Sequence, residues 1–528
     1  MNKSAADHST HSPPRAKVAG RYWALTRQCL LTVALAMACQ SALAQAMYRI
    51  KPLGYLGGCT TYAPSASGLN AADHVTGQAC NANGDLHAFL WKNDGTSMID
   101  LGPEELGSTS NGSGINASGL VAGDAQDSTG SFAFESSGNG KPMQRIYDAM
   151  GGGYVAVTAM NDLGQLTGYA YTAGDTAYHA FVWKNDGTPM SDLGTLGGSL
   201  SVAFDINASG QVAGQSDLAA SGVKHAFVWK NDGTPMHDLG TLGGKFSGAL
   251  GINAAGQVAG TSTLSGTNQR PHAFFWRNDG TPMQDLGTLG GVNSTVNAVN
   301  DSGQFAGALG TRVPYNYQAF VLLNNGTPVK NLGTFGGIEA TSNDINSSGQ
   351  VTGWAALPDE TLHAFLWKND GTKIQDVNKL IDPTDPLKPY VTLTSGEFIN
   401  DSGDIVATGT DSRTGLQGEY LLQGTVLTLS SRSLAFGNQR INTKSAAKSV
   451  TLTNTSPKVV AITSIALTGS GSGQFALTNN CGSSMVGHAT CTIKITFKPT
   501  TKGAKSAALN VNGGGGGLRV VNLTGTGT

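Results

Sequence analysis

Five histidines recur in nearly identical surroundings: His87, His179, His225, His272 and His363 each open a segment of the type HAFVWK. Histidine can ligate a metal or move a proton at neutral pH. One copy per repeat at an equivalent place keeps the five apart, so they predict a repeated scaffold hydrogen bond instead. Eight asparagines recur in the same way: Asn70, Asn116, Asn161, Asn207, Asn253, Asn300, Asn346 and Asn400. Most open a tight turn such as INASGQVAG, where an Asn side chain can bond its own backbone. No DxDxDG loop accompanies them, so turn support is expected and calcium binding is not. Glu104–Glu105 and Asp382–Asp385 are local acidic clusters and read as solvated loop carboxylates. GxSxG, HExxH and the phosphate-binding P-loop are all absent. The sequence therefore nominates no catalytic residue, no metal ligand and no cofactor.

Three markers set the elements that must position any site. The asparagine turns recur at intervals of 45–47 residues, with 54 for the last. HAFLWKNDG-like and DLGTLGG-like segments each recur eight times in the same cyclic order. Each unit reads as four strands. Strand a is like SVAFDIN, b like QVAGQS, c like HAFVWK, and d like PMSDLG. The Asn-Asp-Gly turn after c is a strong hairpin signal, and Gly-Gly ends d. In c, His225, Phe227 and Trp229 alternate with Ala226 and Val228, so both faces are apolar enough to be covered. Four-stranded sheets covered on both faces at this period predict propeller blades. The repeat region begins with a lone strand d, YRIKPLG at 48–54, and ends with an a–b–c set at EYLLQG. The first strand can complete the last blade and close an eight-bladed ring. A seven-bladed ring with one unit outside is the alternative.

The short a–b and c–d turns are nearly constant and share one face. The b–c and d–a loops vary and share the other, the usual arrangement of a binding surface. Tyr171, Tyr178, Tyr315, Tyr317, Trp354 and Tyr390 fall in this variable set or beside it. They are the candidate ligand-binding residues, able to stack on sugar or peptide.

HAFLW, DLGTLGG and INASGQVAG resemble the bacterial extracellular HAF-repeat family over residues 47–424. That resemblance implies export and repetition, and no reaction. Departures are Phe132 in place of His, a lost DLG in unit 3, and Leu323 in place of Trp. From Thr425 the pattern becomes seven short alternating strands in about 100 residues, as expected of an immunoglobulin-like sandwich. LAFG, LTNTS, TCTIKITFKPTTKG and LTGTGT resemble Hydin/abnormal-spindle-type domains, also found in choice-of-anchor D proteins. Such domains serve as spacers or interaction modules.

Residues 1–44 read as a signal peptide. Arg21 and Arg27 precede the apolar run Cys29–Cys39, and cleavage is expected after Ala44. A lipoprotein anchor at Cys39 is the alternative. Without the leader, 28 basic residues face 34 acidic ones, a net charge of −6. No basic run supports nucleic-acid binding, and no later apolar stretch reaches membrane-spanning length. Glycine, 73 of 528 residues, is about twice its usual ~7% share, fitting a turn-rich all-β chain. The remaining cysteines form two local pairs, Cys59 with Cys80 and Cys481 with Cys491, and predict disulfides in an oxidising compartment.

These readings predict three domains: 1–44 leader, 45–424 eight-bladed propeller and 425–528 immunoglobulin-like sandwich. The function expected is non-catalytic binding at the exterior, with a glycan or protein partner on the variable face. A carbohydrate-active enzyme, lyase or glycosidase, with a cleft on that face is the competing expectation. A purely structural surface component is the third.

Overall fold

A computed structural model describes residues 48–528 apart from Thr61, 140–142, 147–149, 221, 267–269, 289–290, 312–315, 325–326, 425, 456–458 and 514–518. The expected leader, with its cleavage after Ala44, and the candidate Tyr315 lie outside the described residues. The fold is all-β. Among the described residues the one α-helix is the four-residue turn Val377–Leu380. None is long and apolar enough to cross a membrane. The chain divides into two compact units, one through Val426 and the other from Leu427.

In the larger unit the described strands form five four-stranded antiparallel sheets and one twelve-stranded sheet, in which three four-stranded antiparallel sets (units 3–5) are joined by single parallel pairings, Tyr178 with Leu200 and Lys224 with Phe246. Unit 4 is typical. Gly197–Ile206 (a) pairs with Val212–Leu218 (b), b with Lys224–Trp229 (c), and c with His237–Asp238 (d). Strand d is only two residues long because the following Gly-Thr-Leu-Gly-Gly leaves the ladder. Every strand a carries a register shift three residues before its marker asparagine, as between Ala203 and Asp205. Such bulges sharpen twist and re-aim one side chain.

Alternation along strand c stacks the sheets. Phe227 packs on Ala180 and Val182 of the preceding unit, while Ala226 and Val228 receive Phe274 of the next. The alanine is fully buried at each of these positions, and its single methyl lets the neighbouring sheet approach. Burying each phenylalanine contributes about 2–3 kcal/mol, repeated around the stack.

The stack closes on itself. Each marker asparagine accepts backbone N–H bonds from the residues two and four further on, as Asn207 does from Ser209 and Gln211 at 3.0 Å. In six of the eight the amide then donates to the next marker carbonyl, as Asn207 to Asn253 at 2.9 Å, Asn300 to Asn346 at 2.8 Å and Asn346 to Asn400 at 3.0 Å; Asn116 reaches the Asp162 carbonyl at 3.5 Å, and beside Asn253 the Ala254 N–H donates to Asp301 instead. Asn400 donates at 3.3 Å to Asn70, the first of the series. Turn support was expected of these residues; the second bond, to a neighbour some 46 positions away, was not.

Closure also uses the first strand. Tyr48–Pro52 pairs antiparallel with Leu416–Gly424 and supplies the fourth strand of unit 8. Leu53, Val406 and Leu421 of that sheet pack with Val75, Phe89 and Trp91 of unit 1. The long segment between units 7 and 8 clamps the strand from outside. Asp382 donates its N–H to the Tyr48 carbonyl at 2.9 Å, and its carboxylate meets Arg49 at 3.3 Å. Asp385, only 4% exposed, accepts the Ile50 N–H at 2.9 Å and the Leu387 N–H at 2.9 Å. The reading of this acidic pair as merely solvated is therefore corrected. A strand joined from far away in sequence exposes backbone donors, and local carboxylates satisfy them.

The smaller unit has two sheets of four and five strands. Phe475 and Phe497 on one and Phe436 on the other meet with ring centroids 4.8–5.9 Å apart, bridging the sheets. Cys481 and Cys491 lie at disulfide distance beside this core, with Cα atoms 5.0 Å apart.

Removing the Asp385 carboxylate leaves the buried Ile50 N–H without its partner. Asp385→Ala is expected to cost about 1–3 kcal/mol in urea unfolding. Asp382→Ala, which loses a partly exposed ion pair, is expected to cost less than about 1 kcal/mol. The opposite ranking would contradict the clamp.

Candidate functional site

The repeated histidines serve the scaffold. His225 Nδ1 is 2.8 Å from Asp238 Oδ1, and His87, His179, His272 and His363 meet the aspartate thirteen positions on in the same way. An ionised carboxylate only accepts, so Nδ1 carries the proton. The same carboxylate caps the next turn, as Asp238 does for the Gly240 N–H at 2.7 Å. Of the three units without this histidine, unit 8 has Gly418 at the position and the other two make paired exchanges. Unit 2 has Phe132 and Arg145, with the guanidinium 4.0 Å above the ring. Unit 6 has Gln318 and Asn331, hydrogen-bonded to each other. A link that keeps its complementarity when both partners change is structural.

Unit 3 gathers a set of aromatic side chains that break the repeat without such compensation. Its strand a, Gly151–Met160, carries Tyr154; strand b, Leu166–Thr172, carries Tyr169 and Tyr171; strand c, Tyr178–Trp183, begins with Tyr178. Tyr169 and Tyr171 share a face because they are two apart on a strand. Tyr178 lies directly across from Tyr171. Ring centroids are 6.1 Å apart for Tyr154–Tyr169, 6.0 Å for Tyr154–Tyr171, 5.3 Å for Tyr169–Tyr178 and 5.6 Å for Tyr171–Tyr178. The corresponding residues of strand b in the flanking units are Asp124 and Gln126, and Gln215 and Asp217. The cluster is therefore specific to one unit.

Glycine makes the shelf possible. A Cβ at Gly152 would lie 2.2 Å from the Tyr171 carbonyl oxygen, so only glycine lets strand a cross the end of strand b here. That crossing brings Tyr154 over the other rings while leaving it 41% exposed. Asp175, in the b–c turn at φ 55°, accepts the Gly153 N–H at 2.7 Å. Gly153, Tyr154, Tyr169, Tyr171 and Asp175 line an open cavity of about 550 Å³. Beneath it, Asp124 accepts the Val157 N–H at 3.2 Å, and burial pushes its carboxyl up to about 6. Burial, then the neighbouring Tyr169 and Asp124, push the Tyr154 hydroxyl up to about 12.

Of the candidate aromatics, Tyr171 and Tyr178 thus come together. Tyr317, 38% exposed, belongs to unit 6, and Trp354 is half-buried in unit 7. Tyr390 is 42% exposed, with Arg413 4.8 Å above its ring and that arginine paired with Asp411. Tyr154 and Tyr169 were not among the candidates. The run GGGYVAV, where other units have GGSLSVA or GGKFSGA, was the available signal for Tyr154.

A second cavity, about 840 Å³, lies between units 1 and 2. It is lined by Asp85, His87, Asp100, Glu104, Glu105 and Arg145 among others. Its one arginine is held by Asp127 and stacked on Phe132, and Glu105 accepts from the Ser128 N–H and hydroxyl at 3.1 and 2.9 Å. Cys59 and Cys80, Cα atoms 5.7 Å apart at disulfide distance, tie down the loop just before it. A third unrepeated feature is the carboxyl pair Glu397 and Glu419 on unit 8. The Thr408 hydroxyl lies 3.1 Å from an oxygen of each. One hydroxyl proton can serve only one of these contacts, so the other needs a proton on a carboxyl group. Glu419 stands where other units have the buried alanine of strand c, and is 5% exposed. Burial, then Glu397, push it up to about 8.

No protein-family model matches the chain, and no curated protein does either. Three solved structures illustrate the structural comparisons. The β-propeller domain of the Trilobed protease from Pyrococcus furiosus has 11% identity and a TM-score of 0.38, covering 62% of this chain and 100% of that one. A puromycin-hydrolyzing peptidase from Mycobacterium tuberculosis has 11% identity and a TM-score of 0.39, covering 70% of this chain and 61% of that one. A PapD-like domain of human CEP192 has 16% identity and a TM-score of 0.16, covering 20% of this chain and 86% of that one.

A carboxyl raised in the folded state binds its proton more tightly there than in the unfolded chain. Its contribution is therefore largest at low pH and is lost as pH rises from the unfolded value of 4.5 to about 8. Across that window wild type should lose stability relative to Glu419→Gln, by up to about 1.4 kcal/mol per pH unit. Urea unfolding at pH 5, 6.5 and 8 measures the difference; a constant offset would show that Glu419 does not hold its proton.

Proposed function

We propose that this chain is an exported, non-catalytic binding protein whose ligand docks on the tyrosine shelf of unit 3. The observation that carries the reading is an unrepeated cluster of four tyrosines beside an open cavity, on a scaffold that is otherwise periodic. Repetition by itself supplies rigidity; a break in repetition confined to one face is where selectivity can reside. In this reading the larger unit is an eight-bladed propeller of the HAF-repeat family. The eight four-stranded sets, the asparagine series that returns from Asn400 to Asn70, and the first strand paired into the last set support it. The smaller unit is an immunoglobulin-like sandwich of the choice-of-anchor D type, supported by its two sheets and interleaved phenylalanines. Two cysteine pairs at disulfide distance and the leader-like first 44 residues support export.

A glycosidase or lyase would need carboxyl groups facing the substrate. The unrepeated pair Glu397–Glu419 meets across Thr408 with Glu419 buried against the closing strand's sheet, a position that serves the joint. Asp175 stands among tyrosines without a second exposed carboxylate in the cavity lining. These placements favour binding over hydrolysis.

Panels of glycans, peptides and small metabolites, screened with wild type and with Tyr154→Ala, test the assignment. Ligands of this protein are expected to lose about tenfold or more in affinity in the variant, since an aromatic contact of this kind is a frequent hot spot. Ligands that bind both proteins equally would place the site elsewhere.

A further inference from the structure

The chain's own aromatic rings suggest what the shelf is made to meet. Several rings of the larger unit, most of them buried and only Tyr390 exposed, carry a cation from the chain itself. Arg145 lies over Phe132, Lys184 over Trp229, Lys230 over Trp276, Arg277 over Phe275, Lys330 over Trp367 and Arg413 over Tyr390, at 4.0–5.9 Å. The four shelf tyrosines are different. Among the described residues no lysine or arginine stands over any of them, and the cavity lining contains no basic residue.

The geometry of the rings narrows the ligand further. A flat sugar-stacking platform needs coplanar faces, yet the interplanar angles here are 41°, 85°, 53° and 57°. Rings tilted against one another at 5–6 Å present negative π faces in several directions, with Tyr154 exposed and Tyr169 and Tyr171 half-buried along an open cavity, and Tyr178 packed against both of the latter. At the edge of that cavity stands the Asp175 carboxylate, its orientation fixed by the Gly153 N–H. The walls thus offer negative faces and one carboxylate, with no donor cation to balance them. An alkylated ammonium group matches this: its charge is spread over methyl groups, it is weakly hydrated, and it needs faces more than hydrogen-bond acceptors.

We infer that the tyrosine shelf formed by Tyr154, Tyr169, Tyr171 and Tyr178, with Asp175 at its edge, binds a small organic cation carrying an alkylated ammonium head. This rests on the shelf being the binding site and adds the ligand's chemical class. The cavity of about 550 Å³ is large enough for such a head with a short tail. An anionic group close to the head is disfavoured by Asp175, so a cation free of adjacent phosphate is the better fit.

Calorimetric titration of the full mature chain with choline, and with the neutral isostere in which a quaternary carbon replaces the nitrogen, tests this directly. Choline is expected to bind saturably, with the isostere about tenfold or more weaker, because only charge distinguishes them. Tyr154→Ala should weaken choline about tenfold, whereas Tyr154→Phe, which keeps the ring face, should stay within about twofold of wild type. Asp175→Asn should weaken choline about threefold or more and flatten its salt dependence. Equal binding of choline and its isostere would overturn the inference, as would no choline binding up to about 10 mM, the weak limit for a specific small-ligand site. The shelf assignment itself is judged separately: neutral ligands that depend on Tyr154 would leave it standing while this inference falls.

Discussion

Everything in the larger unit depends on one amide side chain used twice. Each marker asparagine spends its oxygen on its own turn, and all but Asn253 spend the nitrogen on a carbonyl of the next unit. The first bond fixes where strand a hands over to strand b. The second fixes how far the next sheet stands from it. Buried amides of this sort are costly when unpaired and specific when fully paired. Because Asn400 reaches Asn70, and the Ala254 N–H to Asp301 bond stands in where Asn253 makes no such link, neighbouring units are tied at every junction of the series. The phenylalanine-on-alanine packing then supplies the apolar stabilisation within a spacing already set.

That constraint explains where the chain could change and where it could not. The His–Asp link on the other edge of each sheet tolerates exchange for Phe–Arg or Gln–Asn, since it only has to join strand c to strand d. The closing joint is less tolerant. It brings together strands more than 360 residues apart in register, Tyr48 with Gly424, and so has no local turn to hold it. Loop-closure entropy disfavours such a pairing, and additional bonds offset it. Asp382, Asp385 and Arg49 are those bonds, and the extra residues of the last repeat interval carry two of the three.

Against so regular a frame, the tyrosine cluster of unit 3 is visible as an exception. Tyr169 and Tyr171 replace polar residues of the neighbouring units, and Gly152 allows Tyr154 to close over them. Their rings pack edge-to-face, so the cluster is held by its own contacts and also leaves part of Tyr154 in solvent. The carboxyls show the converse. Glu419 also breaks the repeat, but it replaces a buried alanine, and its partner lies across a shared hydroxyl inside the sheet stack. One exception lies at a partly exposed surface, and the other lies within the joint.

The sequence by itself determined the period, the strand types, the faces of strand c, the two cysteine pairs and the variable side on which Tyr171 and Tyr178 lie. These are local: turns, alternation and short spacings are written in neighbouring residues. It did not reveal that the asparagine amides reach the next unit, that Asp385 is buried against Ile50, or that Tyr390 lies beneath Arg413. It also did not join Tyr154 and Tyr169 to the candidates, or separate Tyr317 and Trp354 from them. Those facts depend on which sheet faces approach one another and at what distance. Only the tertiary structure decided them, because contacts between residues 46 or 330 positions apart follow from the closed stacking of whole sheets and leave no local trace in composition or spacing.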